Sequence, residues 1–533
     1  MASDFGVDLP DSISDVLRIR AERTPDHKFV RFEHESVAYG QLDQSATALA
    51  GALHSLGVRH GNTCAVQLPN CPDFLTAWFA LARAGILEVP LNTGLSGDLL
   101  AHQVAVSEAS VVITTRDWAS RFVDLAPSCP RLRFIITVDG VPPSSKTAKH
   151  LEVMSLDEAL GRSSRIPPQP AIAGSDPAVA LFTSGTTGPS KGVVRSHRAN
   201  RILAETGVKL MGYEQGEVLF NAFPLFHANA RYNSVLAAML VDGTVVLRDR
   251  FSVREFWDTC RYEGVTAFNY MGAVLLMLHK QPERPDDADN PVRRAFGAPA
   301  PREIFHEFQD RFGVKLVEVY GSTELGIATM NTVDSFVLGS CGREAPSLEV
   351  RIHDELDNEC PRGVTGEIVA RSREPEAMFS EYLGMPQATV ESFRNQWFHT
   401  GDRAWMDDAG YFWFVDRMKD CIRRRGENIS SWEVERTISS LESVDEVAVV
   451  GVPSELSEEE VLAVIVPSNS ATRPIEEVLE CCRSRLPRFA VPRYIRVVKS
   501  LPKTPSQRVE KYRLRADGVT ADTVDTTSKE FNS

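Results

Sequence analysis

The segment Thr183-Ser184-Gly185-Thr186-Thr187-Gly188-Pro189-Ser190-Lys191-Gly192 puts three glycines, five hydroxyls and one lysine into ten residues, directly after the apolar pair Leu181-Phe182. Glycines let backbone amides face an anion, hydroxyls donate to phosphate oxygens, and lysine approaches outer phosphates as a mobile point charge. The lysine follows Ser190 rather than glycine, so the spacing is neither that of a Walker A loop nor a dinucleotide fingerprint. A nucleotide phosphate site is expected here. Downstream, Tyr320-Gly321-Ser322-Thr323-Glu324 follows the apolar run Leu316-Val317-Glu318-Val319. Turn residues at that place can set a hydroxyl, Thr323, on a phosphate and a carboxylate, Glu324, on Mg²⁺. Gly297-Ala298-Pro299 ends another strand-like run with small residues that admit a flat ring. Asp402, in a Gly-Asp turn, can accept two ribose hydroxyls, and Arg417 can add a ribose or phosphate contact. His227 is a polar candidate for a pocket wall, with Asn229, Ala230 and Arg231 beside it and Asn269-Tyr270-Met271 as a second wall.

Five blocks, in order, resemble the adenylate-forming superfamily of acyl-CoA synthetases, luciferases and stand-alone adenylation domains. They are Thr183 to Gly192, Phe223-Pro224-Leu225-Phe226-His227, Tyr320 to Glu324, Trp397-Phe398-His399-Thr400-Gly401-Asp402, and Asp416-Arg417-Met418-Lys419-Asp420 through Gly426-Glu427-Asn428-Ile429. The resemblance implies that Thr183, Ser184, Gly185, Thr186, Thr187, Gly188 and Lys191 cradle the phosphates of ATP. It implies that Gly297, Ala298, Pro299, Tyr320, Gly321 and Ser322 surround adenine, with Tyr320 stacked on the ring. Thr323 would contact phosphate, Thr187 and Glu324 would hold Mg²⁺, Asp402 and Arg417 would take the ribose, and His227 would be an aromatic gate. Lys419 maps to the hinge about which a small C-terminal domain rotates, and Arg425, Gly426 and Glu427 would then face a thiol tunnel. Arg423, Arg424 and Arg425 are candidates for the phosphates of coenzyme A.

The chemistry so implied is activation of a carboxylic acid. Attack of its carboxylate on the α-phosphate of ATP releases pyrophosphate and leaves an acyl adenylate, which a thiol then converts to a thioester. One departure stands out. The superfamily pattern Pro-Thr-Gly-Lys reads here Pro505-Ser506-Gln507-Arg508, so the catalytic lysine becomes Arg508, and Lys511 is the nearest substitute. Arginine keeps the charge on a bulkier planar head. The expected activity is an ATP-dependent ligase joining a small-to-medium carboxylic acid to coenzyme A. The alternatives are transfer to a carrier protein or amine, and a nucleotide-binding scaffold with impaired catalysis.

The elements that must position these groups read as a layered α/β fold. Helical periodicity at Leu42 to Leu56 and Leu75 to Arg83 alternates with strand-like runs at Thr63 to Leu68, Val111 to Thr114 and Phe134 to Val138. From Cys341 to Phe414 short strands between Gly, Pro and Asn turns predict a β-rich subdomain. Beyond it, a helix opening at Ser430 or Ser431, strands at Val447 to Val450 and Val461 to Val466, and a helix from Ile475 to Leu486 predict a small α+β module. The expected division is an adenylation domain over 1–416, a hinge at 417–419, a lid domain over 420–515, and a disordered tail over 516–533.

With 533 residues, 43% of them hydrophobic and 24% charged, the chain is long enough for a large α/β domain and a small one. The formal net charge of -14 argues against non-specific binding to nucleic acid. No apolar run reaches the roughly 20 residues of a membrane span. Nine scattered cysteines without a CxxC pair, and a first segment with four acidic residues before its first basic one, point to a reduced, cytoplasmic setting. Nothing in the sequence suggests a particular oligomeric state.

Overall fold

The computed structural model describes residues 10–140, 150–162, 171–183, 190–417, 421–424, 427–453, 459–469, 471–486, 490–504 and 508–527. Two large sheets share one helical layer. The first runs in the order Glu381–Tyr382, Lys191–Ser196, Pro177–Thr183, Leu87–Pro90, Thr63–Gln67, Val111–Thr114, Phe134–Thr137, Glu152–Ser155. The second centres on the parallel strands Lys315–Ser322, Arg294–Gly297, Ala267–Tyr270, Val218–Asn221 and Thr244–Leu247, extended by Gly326–Met330 on one side and Lys28–Phe32 on the other.

The layering follows from the two-residue period of a strand. On Thr63–Gln67, Cys64 and Val66 face the central core while Ala65 faces an outer one. On Val218–Asn221 and Thr244–Leu247, Leu219 and Val245 face the same central core, and Phe220 and Val246 face a third. The helices Tyr39–Ser55, Pro72–Ala84 and His197–Met211 fill the space between the sheets. Parallel strands covered on both faces need near-continuous apolar runs, and Val111-Val112-Ile113-Thr114 is buried throughout. The expected β-rich subdomain is a five-stranded antiparallel sheet of Leu348–His353, Gly366–Ser372, Trp397–Met406, Phe393–Arg394 and Phe412–Arg417.

The small C-terminal unit packs the helices Ser431–Ser439 and Pro474–Arg485 on a sheet of Val444–Pro453, Glu459–Pro467, Tyr494–Val497 and Thr523–Asp525. Its last strand corrects the reading of 516–533 as a disordered tail. Tyr494, Ile495 and Arg496 pair with Asp525, Val524 and Thr523, and the Thr526 hydroxyl donates to the Pro492 carbonyl at 3.0 Å. A short, polar edge strand has the composition of a tail, because its outer face meets water. Residues 528–533 lie outside the described part.

His197 opens the helix His197–Met211 behind the N-cap Ser196, whose hydroxyl accepts the Ala199 amide. The ring is fully buried and neither nitrogen has a hydrogen-bond partner among the described residues. Burial pushes its pKa down to about 4, against the opposing pull of Asp176 and Asp15. The unfolded ring titrates near 6.5, so between the two values the unfolded chain binds more protons. This contribution to stability is complete above about pH 6.5 and is lost as the pH falls toward 4. Melting curves between pH 7.5 and 5 are expected to show a steep loss in the wild type, with His197→Leu shallower by about one proton.

Candidate active site

The candidate groups gather at the carboxyl ends of the parallel strands, where open α/β sheets bind ligands. Gly297 ends its strand so close to the neighbouring one that a Cβ would lie 2.0 Å from the Tyr270 carbonyl oxygen. Only glycine lets the chain turn there, and Ala298 and Pro299 follow as exposed residues. Gly321 is held the same way, with the Gly326 carbonyl oxygen 2.0 Å from where a Cβ would be. That close approach folds Ser322, Thr323 and Glu324 into a turn between two antiparallel strands. Arg195, fully buried, fastens the turn by donating to the carbonyls of Thr323 at 3.0 Å and Glu324 at 3.2 Å.

Two pairings connect blocks that are distant in sequence. The Tyr320 hydroxyl donates to Asp402 Oδ2 at 2.7 Å, and its ring lies 6.0 Å from that of Phe414. Asp402 is buried, and its strand register places it opposite Arg417. Behind it, Glu367 accepts from the Gly401 amide at 2.9 Å and contacts His399 Nδ1 at 2.7 Å, which fixes the Gly-Asp turn. On the other side, Glu324 Oε1 accepts from the Tyr382 hydroxyl at 3.0 Å, and Lys191 Nζ sits 4.4 Å from the centre of the same tyrosine ring. Tyr382 was not legible as a site residue in the sequence. It arrives on the two-residue strand Glu381–Tyr382, which pairs with Val193 and Val194.

His227 follows Pro224-Leu225-Phe226, its amide bonded to the Pro224 carbonyl at 3.0 Å, and its Nε2 has no hydrogen-bond partner among the described residues. Burial first, and then the charge of Arg508, push its pKa down to about 4, so the ring is neutral at pH 7. Arg508 belongs to the small unit, in a turn where its amide donates to the Thr504 hydroxyl at 3.1 Å. Glu318, next to Tyr320 on its strand, is buried, and burial raises its pKa to about 7.

Several sequence-based candidates fall elsewhere. Arg231 and Ala230 do not line a pocket; both are fully buried in the π-helix Asn229–Leu236, where Arg231 pairs with Glu88. Asn269 bonds Asn229 Oδ1 at 2.7 Å and Ser234 Oγ at 2.8 Å, and Tyr270 is wholly buried, so of that second wall only Met271 is exposed. Arg424 is buried beside Glu460 and donates to the Val491 carbonyl at 3.1 Å, which takes it away from any coenzyme phosphate. Lys511 is tied to Glu435 and Ser431, both at 2.8 Å, within the small unit. Ser184, Gly185, Thr186, Thr187, Gly188, Lys419, Arg425 and Gly426 lie outside the described residues, as do the side chains of Arg417, Arg423 and Glu427.

A glycine-tight turn, a buried carboxylate beside a tyrosine ring, and a lysine and glutamate joined through one phenol are thus features of a two-domain α/β protein. The chain belongs to the AMP-binding enzyme family, the adenylate-forming acyl-CoA synthetase superfamily: residues 17–383 match the AMP-binding enzyme and residues 433–508 the AMP-binding enzyme C-terminal domain. It is 30% identical over 484 residues, 90% of this chain and 93% of the relative, to crotonobetaine/carnitine–CoA ligase of Salmonella agona strain SL483. Its fold is similar to that of o-succinylbenzoate CoA synthetase from Bacillus subtilis in complex with its acyl-adenylate intermediate, with a TM-score of 0.82 at 24% identity, covering 94% and 97% of the two chains. ATP-bound MatB from Rhodopseudomonas palustris is similar with a TM-score of 0.81 at 25% identity, covering 94% and 98%.

Proposed function

We propose that this chain is an ATP-dependent carboxylate–CoA ligase acting on a small-to-medium carboxylic acid. The observation that carries the reading is that distant motif blocks meet through the Tyr320–Asp402 bond and the Glu324–Tyr382–Lys191 set. Two of the relatives named above support the acceptor, one being a crotonobetaine/carnitine–CoA ligase and the other an o-succinylbenzoate CoA synthetase.

In the first half-reaction the acid's carboxylate oxygen bonds to the α-phosphorus of ATP, and the bond from that phosphorus to the bridging oxygen breaks, releasing pyrophosphate. Asp402 takes the ribose, and Tyr320 lies against adenine. Lys191 and Arg508 supply positive charge where the phosphate and carboxylate oxygens meet. Neutral His227 walls the carboxylate without adding a competing charge. In the second half-reaction the thiol sulfur bonds to the acyl carbon, its proton passes to solvent, and AMP leaves with the electron pair. The small unit would rotate about Lys419 between the two, presenting Arg425, Gly426 and Glu427 to the thiol. One contact between the units, Arg436 with Glu303 at 3.3 Å, is exposed on both sides and so contributes little to holding them in one arrangement.

Mg²⁺ fits the donor set. Glu324 offers a hard carboxylate oxygen. Such a site suits a cation that shares its coordination with substrate phosphates and water, and when bound it would neutralise phosphate charge.

A pyrophosphate-release screen across a panel of carboxylic acids with ATP and Mg²⁺, each with and without coenzyme A, tests the reading. Acid-dependent release with an acyl-CoA confirmed by mass supports it. A trapped adenylate without thioester would move the acceptor to a carrier protein or amine, and no turnover of any acid would overturn the ligase reading.

A further inference from the structure

We propose that Tyr382 is a positioning residue that sets the metal-binding carboxylate and the phosphate-binding lysine at a fixed spacing before nucleotide enters. The inference rests on the adenylation reading of the site. Three observations support it. The hydroxyl donates to Glu324 Oε1 at 3.0 Å, and the ring carries Lys191 Nζ over its face at 4.4 Å. The backbone around Tyr382 is fastened to both partners' elements: the Phe379 amide donates to the Glu324 carbonyl at 2.8 Å, and the Leu383 amide to the Gly192 carbonyl at 2.7 Å. The side chain is itself fixed, being 5% exposed, with the Tyr382 amide held by the Thr389 hydroxyl at 2.9 Å.

The chemistry of the phenol suits this task. A phenol is protonated at neutral pH and so donates its proton to the carboxylate. A donor on one oxygen of Glu324 orients the plane of the carboxylate and directs the other oxygen. The electron-rich ring face holds the ammonium without neutralising it, as a carboxylate partner would, so Lys191 keeps its charge for a phosphate. Lysine and glutamate would otherwise be free to pair with each other, which would cost both ligands.

The two contacts separate by substitution. Tyr382→Phe removes the hydroxyl and keeps the ring, whereas Tyr382→Leu removes both. Calorimetric titration of the full-length protein with ATP, at a series of Mg²⁺ concentrations and in EDTA, reads binding without turnover. Tyr382→Phe is expected to raise the Mg²⁺ concentration for half-maximal ATP binding by about tenfold while leaving metal-free ATP affinity within about twofold. Tyr382→Leu should in addition weaken metal-free ATP binding by about fivefold. In a Glu324→Gln background, Tyr382→Phe should change the Mg²⁺ dependence no further.

Wild-type Mg²⁺ dependence in Tyr382→Phe would overturn the inference while leaving the adenylation reading in place. So would parallel losses of ATP affinity, acid KM and melting temperature, because they would mark a packing role alone. A wild-type protein that binds no ATP with Mg²⁺ would remove the adenylation reading and this inference with it.

Discussion

Replacing Arg508 with alanine is expected to slow acid-dependent pyrophosphate release by about 10²–10³-fold, the usual cost of removing one preorganised charge from an acyl or phosphoryl transition state. Lys511→Ala should stay within about threefold. The contrast follows from the place of each cation: Arg508 occupies the position of the superfamily lysine, whereas Lys511 is bound by Glu435 and Ser431 inside the small unit. Arg508→Lys restores the charge on a compact head and should recover much of the rate, because an ammonium needs no planar match. Single-turnover adenylate formation, measured apart from thioester formation, checks the assignment. An equal loss in both half-reactions, or activity lost only in Lys511→Ala, would contradict it.

Arg231→Ala is expected to be the most destabilising of the single substitutions considered, by about 3–5 kcal/mol. Both partners of the pair are essentially without solvent contact, at 0% and 1% side-chain exposure. Arg231 donates to Glu88 Oε1 at 2.9 Å and also to Oε2, gives a further bond to the Leu225 carbonyl at 3.2 Å, and places its guanidinium 4.0 Å from the Trp78 ring centre. Removing it strands a carboxylate whose pKa burial already raises, so Glu88 would take up a proton or draw in water. The pair Glu88→Gln with Arg231→Met should recover most of the loss, since replacing both ions avoids the unpaired charge. In a chain of this size the measurement is a half-life at fixed temperature. An Arg231→Ala protein as durable as wild type would show the ion pair to be energetically idle.

Motifs whose chemistry is local can be read from a sequence, although residues 184–189 of the first motif lie outside the described part. Thr183 to Gly192 and Tyr320 to Glu324 carry their meaning within a few residues, since glycine spacing and hydroxyl density follow from what a phosphate or a tight turn demands. The near-continuous apolar run Val111-Val112-Ile113-Thr114 likewise marks a strand buried on both faces. Residues whose role depends on a distant partner could not be read this way. Arg424 looks like one of three surface arginines until Glu460 is found beside it, and Arg231 looks like a pocket residue until Glu88 is. Tyr382 sits in Ser380-Glu381-Tyr382-Leu383, with no glycine, charge pattern or periodicity to single it out. Its importance comes entirely from a pairing with a strand far upstream. Thr523-Val524-Asp525 was read as tail because a polar edge strand and a solvated terminus have the same composition.

That strand pairing also sets an order of events during synthesis. The Ser380 amide meets the Val194 carbonyl, and the Ser380 hydroxyl bonds the same carbonyl across a separation of 186 residues. At ordinary translation rates the ribosome needs roughly 10–40 s to cover that distance. Until then the strand Lys191–Ser196 is a bare sheet edge in a growing chain, with unpaired amides and carbonyls open to any other extended segment. The residue that joins Glu324 to Lys191 therefore arrives on the same strand that caps this edge. Chains stopped just short of residue 380 should be prone to associate, whereas those extended past Leu383 gain the capped edge and the Glu324–Tyr382–Lys191 set together.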